Sequence, residues 1–455
     1  MKVLLVRPSS PQRAIGAAHA SLCEPLELEV LAGNLRDHDV TVLDMRVDAT
    51  PLDQVLEAIQ PDVVGVTANT MEVLTARAVL RRVKEVLPAV GTVVGGPHAT
   101  ARPEDFAGSI VKAIVIGQGV ATFREVVEAR EQGLPLEDVP GLVVNTQGKQ
   151  VRTAPRRPAA TLSEFPPPDR HTTSSVRGKY YHAWAKPVLL VQGSSGATHP
   201  GTVGAPPRDS RIVQEVEQIA AEMVELDGGV CLADDDALAE PARIARLCAL
   251  LKEASFSRPM YLCSGAQAIV ADPEIIEDLA ELGLVAVALA LDCTDAAGPP
   301  PEQRRAVEIL HANGVGVSGE FLADPDFDRD QLQRLGRRAE ELKIEFPLFS
   351  TPTPFPGTSL YEERRESLGT PDWELFDRVH CVLPTRLPLR AFYAELAHLY
   401  ERAYGLSSVP RMSGSVPWRH LPALALQLHR FTVRVRHAYI DQEPELHRRD
   451  GKRKV

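Results

Sequence analysis

The sequence predicts an α/β protein: a doubly wound, Rossmann-like parallel sheet, then an open partial (β/α)6 barrel, then a helical C-terminal region. Three observations predict it. Short runs rich in Val, Ile and Leu recur up to residue 350 without inside–outside alternation, as in parallel strands buried on both faces. Segments of helical period separate these runs. Glycines, small polar residues and carboxylates collect where the runs end, the side on which parallel α/β sheets place ligands.

The first unit, residues 1–138, opens on KVLLV (2–6) and continues through VTVLD (40–44), DVVGVTANT (62–70), GTVVGGPHA (91–99) and KAIVIGQG (112–119). Helical periods fill 26–35, 52–59, 75–87 and 122–130. The strand exits supply Arg46, Thr67, Asn69, Thr70, Gly95, Gly96, His98, Gly117, Gln118 and Gly119. Glycine lets backbone approach a broad, flat ligand closely, so these exits are candidate ligand contacts. The same residue types also serve ordinary turns. Residues 139–186 read as a linker, with a small hairpin in GLVVNTQGKQVRTA (141–154) and a stiff EFPPPDR (164–170).

A second series occupies 187–368. It runs VLLVQG, VCLADDD, MYLCSGAQ, VAVALALD, VGVSGEFLADPD and EFPLFSTPTP, with helices expected over 212–226, 302–313 and 330–342. Six strand–helix units are fewer than the eight of a closed barrel. Asp234-Asp235-Asp236 follow one strand. Asp234 and Asp235 are candidate bases or contacts to a bound amine, although acidic residues are also ordinary at a helix start. From 369 to 455 the chain turns helical, with WELFDRVH (373–380) and RAFYAELAHLYERAY (390–404) as the expected helices.

Of 455 residues, 44% are hydrophobic and 24% charged, an ordinary globular balance. The net charge of -11 argues against nucleic acid as the main partner. The last stretch is basic, ending RRDGKRKV, and a weak attraction to an anionic membrane surface is one reading of it; a solvated tail is the other. Six scattered cysteines form no CxxC, so no local metal motif exists. Sparse cysteine and no export signal point to the cytoplasm.

KYYHAWAKP (179–187), LADDDALAEPARIARL (232–247), FLADPDFDRDQLQRL (321–335), FSTPTPFPGTSLYEE (349–363) and WELFDRVHCVLPTRLPLRAFY (373–393) extend these patterns. Together with the strand exits they resemble cobalamin-dependent radical SAM enzymes, nearest to the hopanoid C-3 methylase group. The resemblance implies a base-off corrinoid on the first unit, with Arg46 or a water beneath cobalt. It also implies that Thr353 and Pro354 border an S-adenosylmethionine pocket. Whether S-adenosylmethionine still binds is left open.

The departures are specific. The CxxxCxxC of the class falls here on Ala197, Gly201 and Gly204, residues without thiolates to ligate iron. A 4Fe–4S cluster is therefore not expected, and no metal ligands are assigned. Cys231, Cys263 and Cys293 at strand ends are the only local alternative. His199 is the one new titratable group in the altered loop and a candidate acid or base. The sequence reading is a cobalamin-binding enzyme performing methyl transfer or another corrinoid-assisted reaction on a large apolar or polycyclic natural product. Its rivals are a pseudoenzyme that partners a cluster-bearing paralogue, and a radical methyltransferase with an unusual cluster.

Overall fold

The computed structural model describes all residues except 17–20, 158, 183–184, 196–211, 292–297, 406–419 and 443–455. In chain order it forms β1 (Lys2–Arg7), β2 (Ser21–Leu22), α1 (Leu26–Gly33), β3 (Asp39–Asp44), α2 (Leu52–Ile59), β4 (Val63–Thr67), α3 (Val73–Val86), β5 (Gly91–Gly95), α4 (Pro97–Ala101), β6 (Ala113–Val115), α5 (Gly119–Gln132), β7 (Leu142–Thr146) and β8 (Lys149–Arg152). Seven strands make one sheet in the order β3-β1-β4-β5-β6-β7-β8. β1 lies parallel to β3 and β4, and β5 and β6 continue the parallel run. Side chains on a strand alternate between faces. Leu4 and Val6 accordingly pack toward α2 and α3, while Val3 and Leu5 pack toward α1 and α5.

The hairpin expected in the linker belongs to this sheet instead. β7 and β8 add to β6 in antiparallel fashion. Leu142, Val143 and Val144 are buried there. A two-stranded hairpin alone in water would leave them wet and be marginally stable.

The chain continues through β9 (Tyr181–His182), β10 (Val188–Val191), β11 (Ser194–Ser195), β12 (Ile212–Val213), α6 (Val216–Glu225), β13 (Gly229–Leu232), α7 (Pro241–Glu253), β14 (Met260–Cys263), α8 (Ala266–Ala271), α9 (Pro273–Glu281), β15 (Leu284–Leu291), α10 (Pro301–Ala312), β16 (Gly316–Leu322), α11 (Arg329–Glu341), β17 (Leu348–Ser350) and α12 (Ser359–Arg364). Six strands form an open sheet in the order β10-β13-β14-β15-β16-β17, every neighbour parallel. This is the expected partial barrel. The helix expected from 212 begins only at Val216, because Ile212 and Val213 pair with Ser194 and Ser195.

α13 (Leu389–Ala403), α14 (Leu421–His437) and α15 (Tyr439–Gln442) close the chain. α13 is the helix expected there. WELFDRVH is not a helix: only Trp373–Leu375 make a 3-10 turn. The Asp377 carboxylate accepts the amides of Val379 at 3.0 Å and His380 at 2.8 Å, and Arg378 turns to φ +68°. Side-chain capture of backbone donors competes with helix formation in this way. The basic run at 448–454 lies outside the described residues.

Candidate functional site

The exits of β4, β5 and β6 border a slot of about 240 Å³. Gly65, Thr67, Gly95, Gly96, Gly117 and Gly119 line it, against apolar walls that include Leu5, Val93 and Phe123. Gly96 is at φ +106°, and a Cβ there would sit 2.9 Å from the Ala68 carbonyl oxygen. Only glycine keeps this turn without strain. The slot shares Val30, Val120 and Gln192 with a chamber of about 650 Å³ between α1, the proline-rich linker and α6. Gln118, Gln192, Gln214 and Gln218 converge on this chamber from separate elements. Sequence reasoning singled out Gln118 alone. The other three are scattered, and only the approach of α6 to the first sheet brings them together.

The remaining predicted contacts divide. Asn69 starts the turn at 70–72, and the Glu72 carboxylate reaches back to the Asn69 amide at 3.2 Å. Thr70 is buried; neither residue lines the slot. His98 does not line the slot either. It is fully buried, with Nε2 2.9 Å from Asp105 Oδ2 and its ring 5.2 Å from that of Trp373. Burial would raise the Asp105 carboxyl, but the His98 and Arg102 bonds outweigh this and hold it down at about 2. The structure thus makes His98 a packing and positioning residue.

Arg46 stands at the β3 exit. Its guanidinium donates to Asp44 at 2.9 and 2.6 Å and to the Cys23 carbonyl at 2.8 Å. Tyr180 donates to the same Asp44 at 3.1 Å and is fully buried. Planar, bidentate pairing of this kind fixes a guanidinium in one orientation. Gln118 accepts from the Ala159 amide at 2.9 Å, so the linker orients it.

In the second sheet, side chains facing the helices are large, among them Val287, Leu289, Val317 and Phe321. The alternate positions, Cys231, Cys263, Ala288, Ala290, Ser318 and Glu320, are less buried and mostly small. The concave side is therefore left open. Asp234 is buried, and Oδ1 accepts the amides of Gly193 at 2.9 Å and Ser194 at 2.7 Å. It holds the start of the altered loop. Asp236 accepts Ser264 Oγ at 3.0 Å. Asp235 is exposed and acts electrostatically on Cys263. Burial first, then the nearby Asp235 and Glu320 carboxylates, push the Cys263 thiol up to about 11; burial also raises Cys231. Glu320 pairs with Arg378 and accepts Ser350 Oγ at 2.5 Å. Thr353 and Pro354 are buried, and Thr353 donates to the Thr351 carbonyl at 3.2 Å, so they shape their turn from within. Ala197, His199, Gly201, Gly204 and Cys293 lie outside the described residues. Among the described residues no group of three His, Cys, Asp or Glu is placed to hold a metal ion.

One cluster at the joint of the two sheets carried no sequence signal. Arg170, delivered by the proline-rich linker, meets Glu24 and Glu29 of the first unit and Glu222 of α6, and donates to the Leu190 carbonyl at 2.6 Å. Burial and Glu29 raise the Glu24 carboxyl, Arg170 opposes them, and the balance is about 7. Glu24 and Glu29 lie far from Glu222 in sequence, and nothing in either stretch announces a shared arginine.

Residues 12–127 match the B12-binding domain family. The chain is 26% identical to hopanoid C-3 methylase of Methylococcus capsulatus over 419 residues, covering 84% of this chain and 76% of that protein. Among solved structures it resembles the cobalamin-dependent S-adenosylmethionine radical enzyme OxsB with aqua-cobalamin and S-adenosylmethionine bound. That match has a TM-score of 0.72 at 15% identity and covers 97% of this chain and 71% of the other. It also resembles the radical S-adenosylmethionine methyltransferase TsrM of Kitasatospora setae, with a TM-score of 0.67 at 16% identity, over 94% and 99% of the two chains. The first unit is thus a B12-binding domain. The whole chain is a homologue of hopanoid C-3 methylase with the fold of cobalamin-dependent radical SAM enzymes.

Proposed function

We propose that this homologue of the cobalamin-dependent radical SAM methyltransferases binds cobalamin between its two sheets and transfers a methyl group by a two-electron route. Its acceptor is a large apolar or polycyclic natural product. The observation that carries the reading is the glycine-lined slot running into the glutamine-bearing chamber. A corrinoid has a flat ring edged with carboxamides and a long nucleotide tail. The slot, with Gly95, Gly96, Gly117 and Gly119 in its lining, is narrow enough for the tail, and four glutamines offer donors and acceptors to amides.

Cobalamin, once bound and methylated, would supply a methyl group as a cation equivalent and keep the electron pair of the broken bond, so no electron from an iron–sulfur cluster would be needed. The chain's own residues do the rest. Arg46, fixed by Asp44 and Tyr180, presents a constant cation at the β3 exit. Gln118, Gln192, Gln214 and Gln218 orient the ring. Asp234 holds the Gly193–Ser194 backbone, and Asp235 remains the carboxylate free to take the acceptor's proton. Ala197, Gly201 and Gly204 at the cysteine positions favour this route over radical chemistry.

The test is reconstitution of the purified protein with hydroxocobalamin, iron and sulfide, followed by optical spectroscopy and iron analysis. The expected result is one corrinoid per chain and no stoichiometric iron. A retained four-iron centre overturns the two-electron route, and absence of a corrinoid band overturns the whole reading. Gly119 lines the slot at an ordinary backbone angle, and a Cβ there meets only Val115 at 3.4 Å. Gly119→Leu should therefore fold normally, fill the slot and weaken corrinoid binding at least tenfold.

A further inference from the structure

α14 has the sequence LPALALQLHRFTVRVRH, with no Asp or Glu. One side is buried: Leu424 packs against Phe346 and Tyr404, and the Phe431 ring stands 4.8 Å from that of Tyr400. The other side faces outward. Pro422, Leu426, Arg430, Val433 and His437 follow one another at intervals of three or four residues, so they form a single line along the helix. Leu426 is 51% exposed and Val433 44%. The other exposed large apolar side chains among the described residues, Leu74, Leu134, Val151 and Leu322, lie singly on separate segments. Among the described residues, α14 alone sets two of them on one line with an arginine between.

This helix carries three arginines and no carboxylate in a chain that is otherwise acidic. Arg430 pairs with no carboxylate among the described residues. Arg434 donates to the main-chain carbonyls of Gln12 at 2.9 Å and Ala14 at 2.8 Å, which leaves its positive charge intact. Arg436 does pair with Glu401. We propose that this face of α14 lies on an anionic lipid surface. Protein interfaces gather aromatic side chains into a dry centre with a polar rim. Here Leu426 and Val433 flank Arg430 along the line, and no large aromatic side chain is exposed on it. That pattern suits shallow seating at the headgroups, where small apolar side chains enter the interface and cations meet phosphates. The proposal does not rest on the cofactor reading.

The test is co-flotation of the full-length protein with phosphatidylcholine vesicles, with and without 30% phosphatidylglycerol. The expected result is binding to the anionic vesicles alone, lost in 0.5 M NaCl. Arg430→Glu, and Leu426→Ser with Val433→Ser, should each weaken binding at least tenfold with an unchanged melting temperature. Leu134→Ser, an exposed apolar change elsewhere, should not. A chain lacking 443–455 should still bind. Equal binding to neutral vesicles, no binding at low salt, or loss of binding on removing the tail alone overturns the proposal. So does a concentration-dependent dimer that the Leu426/Val433 variant converts to monomer.

Discussion

Two adjacent carboxylates at the end of β13 differ in what they touch. Asp234 is buried and takes two backbone amides, whereas Asp235 points into solvent. Removing an acceptor from buried donors costs about 1–3 kcal/mol for each donor left unpaired. Asp234→Ala should therefore lower stability by about 2–5 kcal/mol and loosen the loop that begins at Gly193. Asp235→Asn should leave the melting temperature and corrinoid binding unchanged and stop substrate-dependent demethylation of bound methylcobalamin. Thermal unfolding and that assay on both variants separate the roles. Equal thermal loss in the two would show that position in the sequence, not contact, governs them.

Arg170 shows how a connecting segment sets the relation between larger parts. Its single guanidinium serves Glu24, Glu29 and Glu222, which belong to both sheets' layers. Breaking a buried pair on one side strands charge and costs about 3–5 kcal/mol. Here the cost of Arg170→Met should depend on pH. Glu24 has its folded pKa raised from 4.5 to about 7, so its burial is best tolerated below 4.5 and grows costly as pH rises through 7. Urea unfolding should find the variant's deficit larger at pH 8 than at pH 5.5; a deficit independent of pH would exclude these carboxylates as its source. None of this was legible in the sequence, while most strands and helices were. Continuous apolar runs at β1, β4 and β5 state their own burial. Gly96 and Gly117 are legible for the same local reason, since their positive φ angles belong to short turns. What failed was whatever depended on a distant partner. The 141–154 hairpin is claimed by β6, and WELFDRVH is kept from helix by Asp377, which also holds the amides of Ile15 and Gly16 from the other end of the sequence.

The molecule closes on itself through its two ends. The loop after β1 crosses to the C-terminal region, where Asp377 accepts the amides of Ile15 at 2.6 Å and Gly16 at 3.2 Å. Arg13 pairs with Asp372 and Glu374 beside it, and Arg434 of α14 binds the same loop's carbonyls. At the centre His380 Nδ1 lies 3.0 Å from Asp377, and its Nε2 lies 3.5 Å from Asp441 of α15. Burial alone would lower the His380 pKa, but the two carboxylates outweigh it and raise it to about 9. The imidazolium is therefore bound more tightly in the folded chain than in the unfolded one. Its contribution is fully present below the unfolded value of 6.5 and is lost as pH rises through 9. A shift of this size corresponds to at most on the order of 3 kcal/mol. Stability measured by urea unfolding should fall between pH 7 and 10 in the wild-type chain, with a smaller fall in His380→Asn. The amides of Ile15 and Gly16 should also lose protection from hydrogen exchange in the same interval, because the charge that fixes Asp377 against them is gone. Parallel pH profiles for the two chains would show that His380 is neutral throughout and that this closure rests on packing alone.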